Sequence, residues 1–254
     1  MAFSSVMLLA LSYFFGALPF GVALARATGL DPSAEPDIHI ALYHKRAKWL
    51  AFLAGGVDFL KGIIPVLVAF GLRAPTGVVV FCGVLAVAGQ MWPPAPGWHG
   101  EKGNSTGGGV VITLLCVLHA YLGLLAVIPA LTGGMLAVFR ESGPSRAMPV
   151  GNLVAFGVAP VICACTGAPT VLTGGLVAVV VMIVVRRLTA DLSDDLRSGK
   201  RMSIILPQRL LFDQSLDDES DSSLWASSET APGVESHGTT GDQGNADPDE
   251  DEDE

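Results

Sequence analysis

The stretch WLAFLAGGVDFLKGIIPVLVAFGL, from Trp49 to Leu72, decides the fold because it is apolar over almost its whole length. Its only charged residues are Asp58 and Lys61. Apolar stretches of roughly 18 or more residues with few charges are typical of helices that cross a lipid bilayer. This segment therefore predicts an integral membrane protein.

The composition of the whole chain points the same way. Hydrophobic residues make up 50% of the 254 residues and charged residues only 15%, whereas soluble domains carry about 25% charged residues. Further apolar runs lie at about Phe3 to Ala25, Thr76 to Ala88, Gly107 to Phe139, Val150 to Cys165 and Pro169 to Val185. The run from Gly107 is too long for one span of ~20 residues, so we expect a turn near His119. The sequence predicts an all-α polytopic membrane domain at residues 1–190 with about seven transmembrane helices.

The charges are divided unevenly along the chain. All 15 basic residues lie before residue 213, whereas Asp213 to Glu254 carries 15 of the 24 acidic residues. With the N-terminus outside, 13 of the 15 basic residues fall in the inner segments, which the positive-inside rule favours. We therefore expect a basic juxtamembrane segment at 191–212 and a disordered acidic tail at 213–254. We also expect a multi-pass protein of the cell (plasma) membrane with a cytoplasmic C-terminus.

The loop GQMWPPAPGWHGEKGNSTGGG, Gly89 to Gly109, separates two apolar runs and has the chemistry of an anion site. Its glycines let backbone N–H groups approach a ligand, and the helix predicted to begin near Gly107 would direct its positive end there. Lys102 adds a positive charge, and Ser105 and Thr106 add hydroxyl donors. His99 adjoins the glycines and is a further candidate phosphate contact. A plain connecting turn is the alternative, because the same residue types dominate turns.

This loop resembles the second motif of the PlsY family of membrane acyltransferases, which reads Gly-His-x-aromatic-Pro and then Gly-Gly-Lys-Gly-x-Ala-Thr-Gly-x-Gly. The matching positions are Gly89, Trp92, Pro93, Gly100, Lys102, Gly103, Thr106, Gly107 and Gly109. The chain departs at Gln90, where the family has His, at Glu101, where it has Gly, and at Ser105, where it has Ala. Phe15 to Asp31 and Asp58 to Ala69 resemble the family's opening and its second span. The family's Gly-Ser-Gly-Asn-x-Gly-Ala-Thr-Asn motif and its His-x-x-Asn-Ile motif are missing from the corresponding places.

PlsY enzymes move a fatty acyl group from acyl phosphate to glycerol 3-phosphate. The resemblance therefore implies formation of lysophosphatidic acid, an early step of phospholipid synthesis, with these two substrates and membrane lipids as partners. It implies no cofactor, no metal and no nucleic acid. On this interpretation the catalytic residues are Lys102, Ser105 and Thr106, and the phosphate-binding residues are Gly100, Gly103, Gly107, His99, Arg46 and Lys45.

Two other functions stay open. Loss of two family motifs favours a non-catalytic relative that binds phospholipid or a partner at the cytoplasmic face. Asp58 and Lys61 lie three residues apart and share a helix face, so they predict a structural ion pair, with a substrate site or a transport path as alternatives. His39 and His44 are interpreted as solvated loop histidines in preference to bases.

Overall fold

The computed structural model of the protein describes residues 2–212 apart from 34, 36, 96–99, 141–143, 191 and 198–201. Within 133–149 it describes only helical backbone. The elements are α1 (Ala2–Gly16), α2 (Phe20–Ala27), α3 (Ile38–Lys45), α4 (Lys48–Gly71), α5 (Thr76–Met91), α6 (Asn104–Val117), α7 (Tyr121–Arg140), α8 (Pro144–Cys165), α9 (Thr170–Thr189), α10 (Leu192–Arg197) and α11 (Met202–Phe212). No strand occurs in the described residues, and the all-α prediction is confirmed.

The apolar runs of the sequence become apolar helices. Three helical segments among the described residues are long and apolar enough to cross a membrane: Phe3–Ala27, Lys48–Gly71 and Thr170–Thr189. Shorter apolar helices are Thr76–Met91, Asn104–Val117, Tyr121–Thr132 and Val150–Cys165. The break between α6 and α7 lies where the turn near His119 was expected, and His119 has a φ of 56°. The number of helices that cross the bilayer and their orientation stay predictions.

Helices α4, α5, α6, α8 and α9 supply most of the larger hydrophobic cluster, which we call the bundle core; its best-buried large side chains include Phe156, Leu114, Leu115, Leu172, Leu176 and Ile183. Glycines bring the backbones of α4 and α6 into contact. A Cβ on Gly62 would lie 2.1 Å from the carbonyl oxygen of Thr106, and one on Gly109 would lie 2.2 Å from that of Phe59. Small residues at helix crossings allow such close packing in membrane proteins.

A second, smaller cluster joins α2, α3 and the beginning of α4, and we call it the α2–α3 corner; its buried residues are Val22, Ala25, Leu30, Ile38, Ala41, Leu42, Leu50 and Ala54. Helix α3 begins after Asp37, whose carboxylate accepts the N–H groups of His39 at 3.0 Å and Ile40 at 3.1 Å. Such an N-cap is worth about 1 kcal/mol. The capped helix occupies the segment in which the first family motif is missing.

Helix α4 passes through both clusters and contains Pro65 in its interior. Proline lacks an N–H group, so the carbonyl of Lys61, four residues earlier, has no intrahelical hydrogen-bond donor. The interrupted hydrogen bond lies next to Gly62 and one turn from Asp58.

Candidate active site

The N-terminus of α6 is the centre of the candidate site. Its N-cap is Gly103, with a φ of 73° in the left-handed region that favours glycine. The helix begins at Asn104, three residues earlier than the sequence analysis placed it. The N–H groups of a first helical turn have no intrahelical acceptor, and together with the helix dipole they favour anions. The residue order Lys-Gly-Asn-Ser therefore places a cation directly before this helix end.

Lys102 lies at this helix end and pairs with the N-cap of α3. Its Nζ is 3.3 Å from Oδ2 of Asp37, and its side chain is only 17% exposed. Burial raises the pKa of Asp37, but the positive charges of Lys102 and His39 outweigh that effect and lower it below its usual value. A substrate phosphate at Lys102 would therefore replace or join an existing carboxylate contact.

The last turn of α9 brings two arginines to the same place. Arg186 donates to the carbonyl of Gly100 at 2.5 Å, and Arg187 donates to Oδ1 of Asn104 at 3.0 Å. Arg187 is 1% exposed and also donates to the carbonyl of Leu210 in α11 at 3.0 Å. Three cationic side chains thus lie near the beginning of α6, although the two arginines follow Lys102 by about 85 residues in the sequence.

Two of the glycines predicted to hold phosphate serve packing. A Cβ on Gly100 would lie 1.9 Å from the carbonyl oxygen of Met91, and one on Gly107 would lie 3.0 Å from Cδ1 of Ile183. The N–H of Gly107 donates to the carbonyl of Gly103 at 2.8 Å, so it is not presented to a ligand. Both positions are glycine because the neighbouring atoms leave no room for a Cβ atom.

The two hydroxyl residues differ in accessibility. Thr106 is fully buried, and its hydroxyl lies 2.8 Å from the carbonyl oxygen of Asp58 and against Oε1 of Gln90. Both neighbours are acceptors, so the hydroxyl proton is used inside the protein. Ser105 is only partly buried and lies in the first turn of α6. Of the pair, Ser105 is the one available to a substrate.

Arg46 and Lys45 are engaged elsewhere. Arg46 donates from Nε to the carbonyl of Thr28 at 2.7 Å and from a terminal nitrogen to that of Gly29 at 2.8 Å, which caps the end of α2. Lys45 is exposed and lies 2.6 Å from Oε1 of Glu35. The structure gives both residues partners outside the α6 terminus. His99 lies outside the described residues.

A second polar group lies beside the anion site, and we call it the Asp58 cluster. Asp58 is completely buried, with Nζ of Lys61 2.7 Å from its Oδ1 and Nε2 of His39 3.1 Å from its Oδ2. The same His39 nitrogen is 3.2 Å from Oε2 of Glu101, which also accepts a hydrogen bond from Nε2 of Gln90 at 2.7 Å. The predicted pair of Asp58 and Lys61 is thus part of a five-residue network.

The charges of this cluster shift the pKa values of its partly exposed members, His39 and Glu101. Burial lowers the pKa of His39, but its close contacts with the carboxylates of Asp58 and Glu101, and their negative charges, outweigh burial and raise the pKa well above the ordinary value. Burial and the negative charge of Asp58 raise the pKa of Glu101. The interpretation of His39 as a solvated loop residue is therefore wrong, because carboxylates from α4 and the glycine loop enclose it.

Sequence reasoning missed Asp37, interpreted His39 as a solvated loop residue in preference to a base, and noted Glu101 only as a departure from the family motif. Lys102 and Asp37 are 65 residues apart, and His39 and Glu101 are 62 apart. No local spacing could have paired them. The one available signal was the charge at Glu101 in a loop where the family has glycine.

The chain was compared with known proteins. Residues 6–193 match the family described as Glycerol-3-phosphate acyltransferase. The glycerol-3-phosphate acyltransferase of Desulfotalea psychrophila (strain LSv54 / DSM 12343) is 31% identical over 183 residues, which cover 68% of this chain and 86% of that protein. The one from Roseiflexus sp. (strain RS-1) is 37% identical over 114 residues, or 44% of this chain and 56% of that protein.

A solved structure shares the fold. It is PlsY (YgiH), an integral membrane glycerol 3-phosphate acyltransferase, in its glycerol 3-phosphate form. The TM-score is 0.58 at 23% sequence identity, with 77% of this chain and 93% of that chain covered. The membrane fold and the resemblance to PlsY are confirmed, and the chain belongs to the glycerol-3-phosphate acyltransferase family.

Proposed function

We propose that this protein transfers a fatty acyl group from acyl phosphate to glycerol 3-phosphate and releases lysophosphatidic acid and phosphate. The observation that carries the proposal is the convergence of Lys102, Arg186 and Arg187 on the first turn of α6. Family membership over residues 6–193 supports the same reaction.

The reaction needs two phosphate groups held close together, with the glycerol hydroxyl directed at the acyl carbonyl. The hydroxyl oxygen forms the new ester bond, the bond from the acyl carbon to the phosphate oxygen breaks, and the hydroxyl proton leaves with the phosphate. Because phosphate is already a good leaving group, positioning and charge stabilisation supply the acceleration.

The residues at the α6 terminus have distinct proposed roles. Lys102 exchanges part of its contact with Asp37 for a substrate phosphate. The first-turn amides, with Ser105 and its hydroxyl, donate to the same group. Nε of Arg186 is buried and has no hydrogen-bond partner among the described residues, so it offers a further donor. Thr106 and Gly107 act by positioning the helix.

The remaining site residues would need to change partners to take part. Arg46 would have to leave the end of α2, and Lys45 would have to leave Glu35, before either could reach the second phosphate. We propose that His99 and the backbone of Gly100 and Gly103 form the neighbouring edge of the anion site. In this proposal the reaction takes place at one membrane surface.

The distribution of basic residues supports a membrane arrangement for this reaction. We propose seven spans, an outer N-terminus, a cytoplasmic C-terminus and location in the plasma membrane. The transmembrane domain would comprise residues 1–190, followed by the basic segment at 191–212 and an acidic tail at 213–254. Reporter fusions after residue 190 and after residue 73 should report opposite sides of the membrane. Reporters that are equally accessible from outside at both points would contradict this topology.

A direct assay tests the enzymatic proposal. Full-length protein purified in detergent is supplied with palmitoyl phosphate and labelled glycerol 3-phosphate, and lysophosphatidic acid is measured by mass spectrometry. We expect product from the wild-type protein and a loss of about 100-fold or more in Lys102→Ala, as for removal of one transition-state donor. Lys48→Ala is the matched control, because Lys48 is exposed and lies over the ring of Tyr43.

A non-catalytic relative is the second candidate, and the contact of Lys102 with Asp37 favours it. Folded wild-type protein that binds phospholipid vesicles but forms no product would support this candidate and overturn the enzymatic proposal. Product that forms equally with Lys102→Ala and Lys48→Ala would show that the reaction takes place without the α6 anion site.

A further inference from the structure

Three metal-ligating side chains meet beside the anion site. One ligand atom each from His39, Asp58 and Glu101 lies within 4.8 Å of the other two. Nε2 of His39 is 3.1 Å from Oδ2 of Asp58 and 3.2 Å from Oε2 of Glu101. Ligand atoms about 2.1 Å from a tetrahedral zinc ion lie ~3.4 Å apart. Two of the three donor separations are therefore close to that spacing, and the third is within 4.8 Å.

The Asp58 carboxylate supplies a second, independent reason to expect a cation. It is 0% exposed, and neither of its oxygens receives a hydrogen bond of good geometry from the described residues. Lys61 and His39 lie 2.7 and 3.1 Å from these oxygens as ion-pair partners. A buried carboxylate without directed hydrogen bonds is costly unless positive charge compensates it.

The charges of the cluster leave room for such a cation. Asp58 and Glu101 supply two carboxylates, whereas Lys61 supplies one fixed positive charge. A proton on His39, a proton on Glu101 or a metal ion can supply the rest. Charge balance alone does not distinguish these three, but the presence of three ligand atoms around one point favours an ion.

The cluster depends on residues that separate this chain from the family motif. Glu101 stands where the family has glycine, and His39 lies in the segment where the first family motif is missing. These two departures, 62 residues apart, meet at one buried carboxylate of α4. The cluster therefore joins two departures from the family motif.

We propose that His39, Asp58 and Glu101 form a three-ligand zinc site. One imidazole nitrogen with carboxylate oxygens suits Zn²⁺, whereas Mg²⁺ and Ca²⁺ prefer oxygen donors alone. Lys61 on Asp58 and the amide of Gln90 on Glu101 would orient the carboxylates, as outer partners of metal ligands commonly do. His39 is 30% exposed and Glu101 17%, so an ion can enter from the α3 side. The ion displaces the imidazole proton and leaves a fourth position for water.

Metal binding to the intact protein tests this site without any assay of activity. Full-length protein with its purification tag removed is treated with a chelator, loaded with Zn²⁺ and desalted, and bound metal is counted by elemental analysis. Co²⁺ loading provides an independent signal through its visible absorption. We expect about one ion per chain, and at least about tenfold weaker binding in His39→Ala and in Glu101→Gln.

His44→Ala is the matched control, because His44 lies on the same helix, is exposed and is outside the cluster. Thermal melts of the metal-free proteins check that each variant is folded, and the conservative Glu101→Gln replacement tests the site even if His39→Ala unfolds. Wild-type protein that binds no zinc, or folded Glu101→Gln protein that binds as tightly as His44→Ala, would overturn the proposal.

Discussion

The bundle core and the α2–α3 corner share helix α4 but are held together by different forces. In the bundle core, glycines remove side chains so that α4 and α6 touch through their backbones. In the α2–α3 corner, an N-cap and ion pairs connect α3 to Lys102, Glu101 and Asp58. The contact of α4 with α6 in the bundle core therefore depends on the absence of side chains at Gly62 and Gly109, whereas the attachment of α3 adds ion pairs to the apolar contacts of the corner. The contrast separates the helix packing that supports the site from the ion pairs that attach α3 to it.

The largest expected effect comes from adding one methyl group to the bundle core. Gly62→Ala would place Cβ 2.1 Å from the carbonyl oxygen of Thr106 and force the two backbones apart. We expect a loss of about 3 kcal/mol, the upper end for overpacking, because a backbone cannot rotate away. Thermal melts in detergent measure it. Gly56→Ala on the same helix has nothing within 4 Å and should be neutral or stabilising; equal melting temperatures for the two variants would show that the α4–α6 contact is loose.

The next effect tests the charges where the two regions meet. Lys61→Met removes the cation 2.7 Å from buried Asp58 and also its hydrogen bond to the carbonyl of Leu18 at 2.6 Å. Breaking a buried pair costs about 3–5 kcal/mol, and because His39 remains beside Asp58 we expect about 2 kcal/mol here. Adding Asp58→Asn to the same protein should recover at least about 1 kcal/mol, since no uncompensated charge is left. A double variant less stable than Lys61→Met would contradict this account of the pair.

A smaller effect belongs to the cap of α3. Asp37→Ala removes the carboxylate oxygen that accepts the N–H groups of His39 and Ile40 at the beginning of the helix, and it should cost about 1 kcal/mol. Asp37→Asn keeps an oxygen that can cap equally well, so it should retain most of that stability. Melting curves of the two variants at neutral pH decide the matter, and identical losses would show that charge rather than capping is what Asp37 contributes.

The smallest effect is the charge contribution of Asp37, which pH can isolate. The pKa of Asp37 is lowered in the folded protein, so its charge stabilises the fold above the unfolded value of about 3.9 and that stability is lost as the pH falls through the folded pKa. The free energy of unfolding of the wild-type protein should therefore exceed that of Asp37→Asn by under about 1 kcal/mol at pH 7. The gap should shrink below pH ~4. A gap that stays constant between pH 7 and 3.5 would rule out an electrostatic origin.

The sequence predicted the bundle well for a physical reason. Apolar runs specify membrane helices directly, because every backbone group must be satisfied within its own helix. The break near His119 was predictable because the run from Gly107 to Phe139 exceeds one span. The glycine at position 103 was recognised as special, but its role as an N-cap shifted the start of α6 to Asn104.

The site was predicted less completely, since its contacts connect residues far apart in the chain. Lys102 was identified from its loop, but its partner Asp37 lies 65 residues away. Thr106 was expected to face a substrate, yet its hydroxyl turns inward to the carbonyl of Asp58. Only the packing of α3 against α4 and the glycine loop reveals these partners, and no periodicity or motif in the sequence encodes that packing.

Pro65 divides α4, the helix common to both regions, into two halves. Because the carbonyl of Lys61 lacks a donor at position 65, the first half of α4 can tilt against the second without the loss of another backbone hydrogen bond. The half that would tilt carries Asp58 and Lys61, and the half that would stay fixed lies in the bundle core. Because Phe59 and Gly62 in the first half touch the backbone of α6, any such tilt would move the beginning of α6 together with Asp58 and Lys61.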